Sequence, residues 1–305
     1  MMDHERRVWR DAGSLPWRPC CLGFAALLLL GSSPSEPRAI PGQASITVDL
    51  TTSGNPVIHE LMGLGVSYYG NGLWDSGTDT LHKDAAPLIR AIRPTVLRFP
   101  GGTPSDLYLW EAALGIKTAG PTARGADRVV LRARPDWGAV TSARFLDGSA
   151  GQFGDVFSFF RINGSELLMV SEVSAPHAAG VEVRPEPSPG QPSWYMNQYG
   201  IDEHMKHVGV LGAQAIITVN YGTGRSTTGV VAPSVSLGQK VRRAAAWVAY
   251  LNASPEDAVA IGRDEEGNDW RTSGYWAQRR VARGHPAPYG VRYWEVGNEV
   301  YGKWE

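Results

Sequence analysis

The chain has 305 residues, 43% hydrophobic and 19% charged, and a formal net charge of −1. That balance excludes a disordered or coiled-coil chain and leaves material for a sizeable core, while near-zero net charge argues against a nucleic-acid partner held by bulk charge. The 36 glycines and 21 prolines suit many loops, and 11 tryptophans with 11 tyrosines suit either a core or a carbohydrate-binding cleft.

The N-terminus reads as a targeting segment. Arg6, Arg7, Arg10 and Arg18 precede the apolar run 20–31, which is shorter than the ~20 residues a spanning helix needs. Small and polar residues follow, the layout of a secretory signal over 1–31. A buried helix or a membrane anchor is the alternative. Arg6-Arg7 has the twin-arginine pair, but its flanks fit that signal poorly. Both cysteines, Cys20 and Cys21, lie in this segment, so an exported mature chain would have no disulfide or thiolate chemistry. Residues 32–44 read as a Pro/Ser-rich linker.

From residue 45 the pattern is globular. Residues 44–50 alternate as a strand does. Leu61 to Tyr69 is an apolar, glycine-bearing run expected to be the first buried strand. Asp84 to Ile92 has helical spacing and is stopped by Pro94. Thr95-Val-Leu-Arg-Phe-Pro-Gly-Gly102 reads as a short buried strand carrying Arg98 near its end. An arginine there can hold a carboxylate ionised, although a structural ion pair is the commoner fate. Ser105 to Glu111 offers further groups for a cleft wall.

Residues from about 118 to 190 break this rhythm. Phe157 to Ile162 and Glu166 to Val173 read as strands joined at Asn163-Gly164, a strong hairpin signal. The stretch is too long for an ordinary βα connection and is expected to be a β-rich insertion, closed by the prolines around Pro185.

The helix–strand order then resumes. Tyr199 to Leu211 is helical, with Asp202 and Glu203 suited to its N-terminus. Ala215 to Asn220 is a buried strand followed by Tyr221. His204 and His207 are spaced to share a helix face, but no third metal ligand is apparent. Gly238 to Asn252 and Gly274 to Arg283 read as helices. Val291 to Val296 reads as the fourth strand, followed by Gly297-Asn298-Glu299. Alternating strands and helices imply a parallel α/β fold. A carboxylate and an amide at a strand end are either a solvated turn or groups delivered to the mouth of a barrel. The neighbouring aromatics Trp294 and Tyr301, on which a sugar ring could stack, favour a site.

Four stretches together, LRFPGG, ITVNYGTG, AAAWVAYLN and YWEVGNEVYG, resemble the α-L-arabinofuranosidases of glycoside hydrolase family 51, within the clan of retaining (β/α)8 glycosidases. The resemblance covers roughly 45–117 and 195–305. It implies a partial TIM barrel with strands 1–4 present and a β-rich insertion between strands 2 and 3. It implies that Glu299 is the general acid/base and that Asn298 binds the 2-hydroxyl. Arg98 would contact the nucleophile, and Asn220 and Tyr221 would line the cleft. Two positions depart from the family: Ser67 or Tyr68 stands where a sugar-binding Glu is usual, and Thr103 where an Asn is usual.

A retaining glycosidase also needs a second carboxylate, with the two carboxyl groups about 5–5.5 Å apart. The clan takes it from the seventh strand, whereas the motifs here end after the fourth. Glu305 is too near Glu299 on one loop to serve. A full barrel takes about 250 residues, so 45–305 with its insertion is expected to be incomplete and to lack the nucleophile. The function implied is an exported, extracellular or periplasmic retaining hydrolase that cleaves terminal arabinofuranosyl residues from arabinose-containing poly- or oligosaccharides, with no cofactor and no metal. Another clan activity (xylosidase or glucanase) and a non-catalytic sugar-binding remnant are the alternatives. Sugar, linkage and oligomeric state are not fixed by the sequence.

Overall fold

The computed structural model describes residues 58–66, 73–75, 78, 80–102, 105, 108–135, 137, 140–147, 155–170, 172–186, 199–220 and 236–300. The expected signal, the linker, the 44–50 strand, Ser67, Tyr68, Thr103, Tyr221, Tyr301 and Glu305 lie outside them.

The fold is mixed α/β. Strand β1 (Gly63–Gly65) is followed by the small hairpin β2 (Trp74–Asp75) and β3 (Thr80–Leu81), helix α1 (Ala86–Ile92) and β4 (Val96–Phe99). Strands β5 (Ile116–Lys117), β6 (Arg128–Val130), β7 (Ser142–Phe145), β8 (Asp155–Asn163), β9 (Glu166–Met169) and β10 (Glu182–Glu186) come next. The chain continues through α2 (Ile201–Leu211), β11 (Gln214–Val219), α3 (Leu237–Asn252), α4 (Ser273–Ala282) and β12 (Tyr293–Val296).

β1, β4, β11 and β12 form one parallel sheet in the order β1-β4-β11-β12. The sheet curls. Tyr293 Oη on β12 donates to Glu60 Oε1, just before β1, at 3.3 Å, linking its two edge strands.

Local chemistry explains where the helices begin and end. Pro87 occupies the first turn of α1, and Arg93 closes the helix in a left-handed conformation before Pro94. Glu203 accepts the Gly200 N–H at 2.7 Å to start α2, and Gly212 at φ 63 ends it. Ser236 and Thr272 cap α3 and α4, accepting from Gln239 N and Tyr275 N at 3.1 and 3.2 Å.

Alternation along the strands sends Leu97, Phe99, Ala215, Ile217 and Val219 to the face that packs with Ile201, Met205, Val208 and Trp247. Trp110 is the centre of this core. It is fully buried and stacks on Trp247 with ring centroids 5.7 Å apart and planes 7° apart. It also meets Tyr250 and Trp276, and its Nε1 donates to the Arg243 carbonyl at 3.1 Å.

His204 and His207 belong to the same core rather than to a metal centre. The Tyr199 hydroxyl lies 3.2 and 3.0 Å from their Nδ1 atoms, and His204 stacks on Phe99 at 4.6 Å. One hydroxyl proton serves two acceptors only if one imidazole returns its own proton, so the trio fixes complementary tautomers. Among the described residues no group of three His, Cys, Asp or Glu side chains could hold a metal ion.

Between β4 and α2, six antiparallel strands form a second sheet in the order β5-β10-β7-β8-β9-β6. Its core is Val129, Leu131, Phe145, Phe157, Phe159, Leu167 and Val183. The β8–β9 hairpin turns at Asn163-Gly164, with Gly164 at φ 60. Pro185, expected in a closing loop, lies inside β10 instead. There β10 pairs only with β7, since β5 reaches no further than Glu182 and Val183, so the missing N–H falls on an open edge.

Buried charges fasten this sheet to the helices. Arg184 on β10 donates to Glu182 at 2.6 Å and with two nitrogens to Glu203 on α2, at 2.6 and 3.3 Å. Arg283 donates to both Glu182 oxygens at 3.1 and 3.2 Å, to the Leu114 carbonyl at 2.7 Å and to Asp202. Tyr250 donates to Asp202 at 2.7 Å. Gly115, at φ +32, leaves room for the cluster: a Cβ there would meet Glu182 Oε1 at 2.5 Å.

Trp110→Ala is expected to cost about 3–5 kcal/mol, measured by urea unfolding, with Trp110→Phe costing distinctly less. Acid should act in two windows. Burial and the neighbouring His207 hold His204 down at about 3, and burial holds His207 at about 4, against the ordinary 6.5 of the unfolded chain. As pH falls from 6.5 the unfolded chain therefore takes up protons that the folded chain refuses, and stability falls with it. Glu182 opens the second window: burial raises it, but Arg184 and Arg283 outweigh burial and hold it below 4.5. Its contribution is full above about pH 4.5 and is lost as pH drops through the lower folded value. The urea midpoint should therefore begin to fall above the carboxylate range. His207→Gln should flatten that first decline, and Glu182→Gln should leave it in place while lowering stability at pH 7.

Candidate functional site

The inner face of the parallel sheet carries the polar groups. Ile216 pairs with both Arg98 and Tyr293, and Thr218 pairs with Glu295. Register thus brings Arg98, Thr218 and Glu295 to one face, near the C-terminal ends of three adjacent strands.

Arg98 organises them. Its Nε donates to Glu295 Oε2 at 2.5 Å, its Nη1 to the Gly101 carbonyl at 2.9 Å and its Nη2 to Asn298 Oδ1 at 3.0 Å. Thr218 Oγ1 donates to the same Glu295 oxygen at 2.8 Å. Burial raises the Glu295 carboxyl, but the hydrogen bonds from Arg98 and Thr218 and the Arg98 charge outweigh it and hold the group below its ordinary 4.5. Glu295 is therefore an ionised acceptor at neutral pH.

Asn298 is buried beside the turn that follows β4. A Cβ on Gly102 would stand 3.5 Å from Asn298 Oδ1, so the chain passes close without a side chain between. Gly297 N–H donates to the Val219 carbonyl at 2.9 Å, continuing the β11–β12 ladder past the last strand residue. This contact puts Asn298 and the half-buried Asn220 at adjacent strand ends. Glu299 follows, exposed and with φ 53, a left-handed conformation that few non-glycine residues adopt.

The structure thus brings Arg98 and Asn298 into contact and places Asn220 and Glu299 beside them. Tyr221 and Tyr301 lie outside the described residues. Trp294 departs from the expectation. Alternation puts it on the helix-facing side, partly buried against the main core, with Nε1 donating to the Val291 carbonyl at 3.3 Å. It packs the sheet and offers no ring to the inner face. Arg98, expected to contact the nucleophile, is held by Glu295, the Gly101 carbonyl and Asn298. Neither Glu295 nor Thr218 was singled out from the sequence. The available signal was parity: within Tyr293-Trp-Glu-Val296, a Trp on the helix side requires the Glu on the other.

The arrangement can bind a polyol. It holds an ionised acceptor, an amide whose oxygen is already occupied, and a guanidinium with N–H groups to spare, beside an exposed carboxylate. A separate cleft lined by Arg90, Arg93, Val210 and Gln214 lies at the N-terminal ends of β4 and β11, away from these groups.

Residues 158–305 match the family model described as the alpha-L-arabinofuranosidase 1 domain. Over 109 residues the chain is 32% identical to a probable alpha-L-arabinofuranosidase C of Aspergillus clavatus, a match covering 36% of this chain and 15% of that protein. It is 33% identical over 109 residues to the alpha-L-arabinofuranosidase C of Emericella nidulans, with the same coverage. The solved structure of a thermostable family 51 alpha-L-arabinofuranosidase from Thermotoga petrophila aligns with a TM-score of 0.42 at 20% identity, covering 82% of this chain and 34% of that one.

Removing one member of the Arg98–Glu295 pair should destabilise more than removing both. The Glu295 side chain is 40% exposed, so the coupling is set below the 3–5 kcal/mol of a fully buried pair, at about 1–2 kcal/mol. A double-mutant cycle of Arg98→Met and Glu295→Gln, read by urea unfolding, measures it.

Proposed function

We propose that this chain is α-L-arabinofuranosidase-like, of family 51, and contributes the acid/base half of a retaining glycosidase that releases terminal arabinofuranosyl residues from poly- or oligosaccharides. The observation that carries the reading is the Arg98–Asn298 contact. It fixes the Asn298–Glu299 pair at the C-terminal ends of parallel strands, where barrel enzymes gather their catalytic groups. The match of residues 158–305 to an arabinofuranosidase domain supports the substrate class.

In this reading the curled four-stranded sheet is one half of a (β/α)8 barrel, residues 45–305 make up that half with its inserted sheet, and the nucleophile comes from polypeptide outside this sequence. Two features support it. Both sheet edges carry exposed apolar residues, Leu61 and Met62 just before β1 and Val296 on β12. The matched segment also spans only 15% of the curated relatives. The basic and apolar N-terminal run supports export to an extracellular or periplasmic space.

Glu299 gives its proton to the leaving glycosidic oxygen as the C1–O bond breaks and the nucleophile's carboxylate bonds to C1. As a carboxylate it then takes a proton from water, whose oxygen attacks C1 and releases the nucleophile. Asn298 and Asn220 bind the sugar's hydroxyls, and Arg98 holds the constellation in register.

In the full-length protein, Glu299→Gln should lower kcat/KM for unactivated arabino-oligosaccharides by about 100-fold or more. Aryl α-L-arabinofuranosides with good leaving groups need no proton at that step and should lose far less kcat/KM. Equal losses on both substrates would remove Glu299 from the acid/base role.

A further inference from the structure

Arg98 has five N–H groups, and three are engaged by Glu295, Gly101 and Asn298. Glu295 is the least conventional of these partners. Its Oε2 accepts twice, from Arg98 and from Thr218, which pins the carboxylate plane. Its Oε1 has no partner among the described residues, and its side chain is 40% exposed on the inner face. A carboxylate fixed through one oxygen and open through the other is poorly explained as a mere counter-ion. A counter-ion placed only to neutralise Arg98 could turn both oxygens to the guanidinium in the usual bidentate fork. Here one oxygen is left facing out of the pair.

Asn298 complements it. Its Oδ1 is engaged by Arg98, and its Nδ2 is the group that can donate to a ligand. An ionised carboxylate can only accept. The two side chains, joined by one guanidinium, form a donor and an acceptor at a fixed relation, one on β12 and one just beyond its end. That is a match for neighbouring sugar hydroxyls, one accepting and one donating.

We propose that Glu295 is a substrate-binding, specificity-determining residue whose Oε1 accepts a hydrogen bond from a ring hydroxyl of the bound pentofuranoside, with Arg98 and Thr218 as its positioning residues. The inference rests on the glycosidase reading of the same site and adds a contact to it. The low pKa direction of Glu295 agrees, since it keeps the group an acceptor throughout the neutral range.

The test separates recognition from support. Binding of methyl α-L-arabinofuranoside and of its 2-, 3- and 5-deoxy analogues to the full-length protein is measured by ligand-observed NMR, for the wild type, Glu295→Gln and Thr218→Val. Thermal melts and circular dichroism confirm that each variant is folded. The wild type should prefer the parent glycoside over one deoxy analogue by about ten-fold or more, the worth of a hydrogen bond to a charged group. Glu295→Gln should bind that analogue nearly as well as the parent, so the preference collapses at that one hydroxyl. Thr218→Val should reduce the same preference in part. If Glu295→Gln weakens the parent and every analogue by one common factor, Glu295 only holds Arg98 and the inference is overturned. If the wild type binds none of the glycosides, the arabinofuranoside reading of the whole site fails instead.

Discussion

The site depends on a single guanidinium with three acceptors in three different places. Arg98 leaves β4 on the inner face and ties Glu295 on β12, the Gly101 carbonyl of the next turn and the Asn298 amide beyond β12. No hydrophobic contact could do this work, because burial is non-directional. The planar fork sets distance and angle at once. It joins two strand ends and a turn into one polar surface. The strained backbone at Glu299, one residue beyond Asn298, persists only where its surroundings fix it. Arg98 supplies that fixing through Asn298.

A second set of charges fixes the scaffold behind the site. The six-stranded sheet has its own core and could move as a unit relative to the helices. It is held by Arg184 and Arg283, which reach across to Glu203 at the start of α2 and to Asp202 within its first turn. Two guanidiniums and three carboxylates share this cluster, and Tyr250 and Tyr289 supply further donors to Asp202. Glu203 also caps α2 through Gly200 N–H, so the insertion, the helix start and the capping interaction are one network. Such a buried cluster adds little net stability compared with an apolar junction of the same shape, but removing one partner would leave an uncompensated buried charge. Since α2 leads directly into β11, that geometry also bears on where Thr218 sits.

Periodicity made most of the architecture legible before any coordinates. The helices read over 84–92, 199–211, 238–252 and 274–283 appear within a few residues of their expected ends, because Pro94, Gly212, Ser236 and Thr272 carry the stop and cap chemistry locally. The Asn163-Gly164 turn was legible for the same reason. Arg98 and Asn298 were recognisable as groups at strand ends. What could not be read is partnership. Glu295 lies 197 residues from Arg98, and only the register of four strands brings them together. Aromatics near a polar dipeptide suggest a sugar platform at Trp294, but its parity sends it to the core. Proline usually leaves strands, which suggests a loop at Pro185, an argument that fails where the neighbouring strand ends early.

The Trp294 displacement and the Glu295 contact are two consequences of one constraint. A strand buried on one face by helices must send its bulky apolar residues there, and β12 has Trp294 as its largest. With Trp294 outward, Glu295 has to turn inward. An ionised group on that face needs a partner, and the nearest strands supply Arg98 and Thr218 in register with it. Their pairing in turn occupies the nitrogen that would otherwise reach for a carboxylate elsewhere, and leaves two N–H groups of Arg98 and one oxygen of Glu295 uncommitted among the described contacts. The packing requirement of a single tryptophan thus determines which polar atoms the inner face can offer to a ligand. The chemistry of the site is therefore set from the core side of the sheet as much as from the open side.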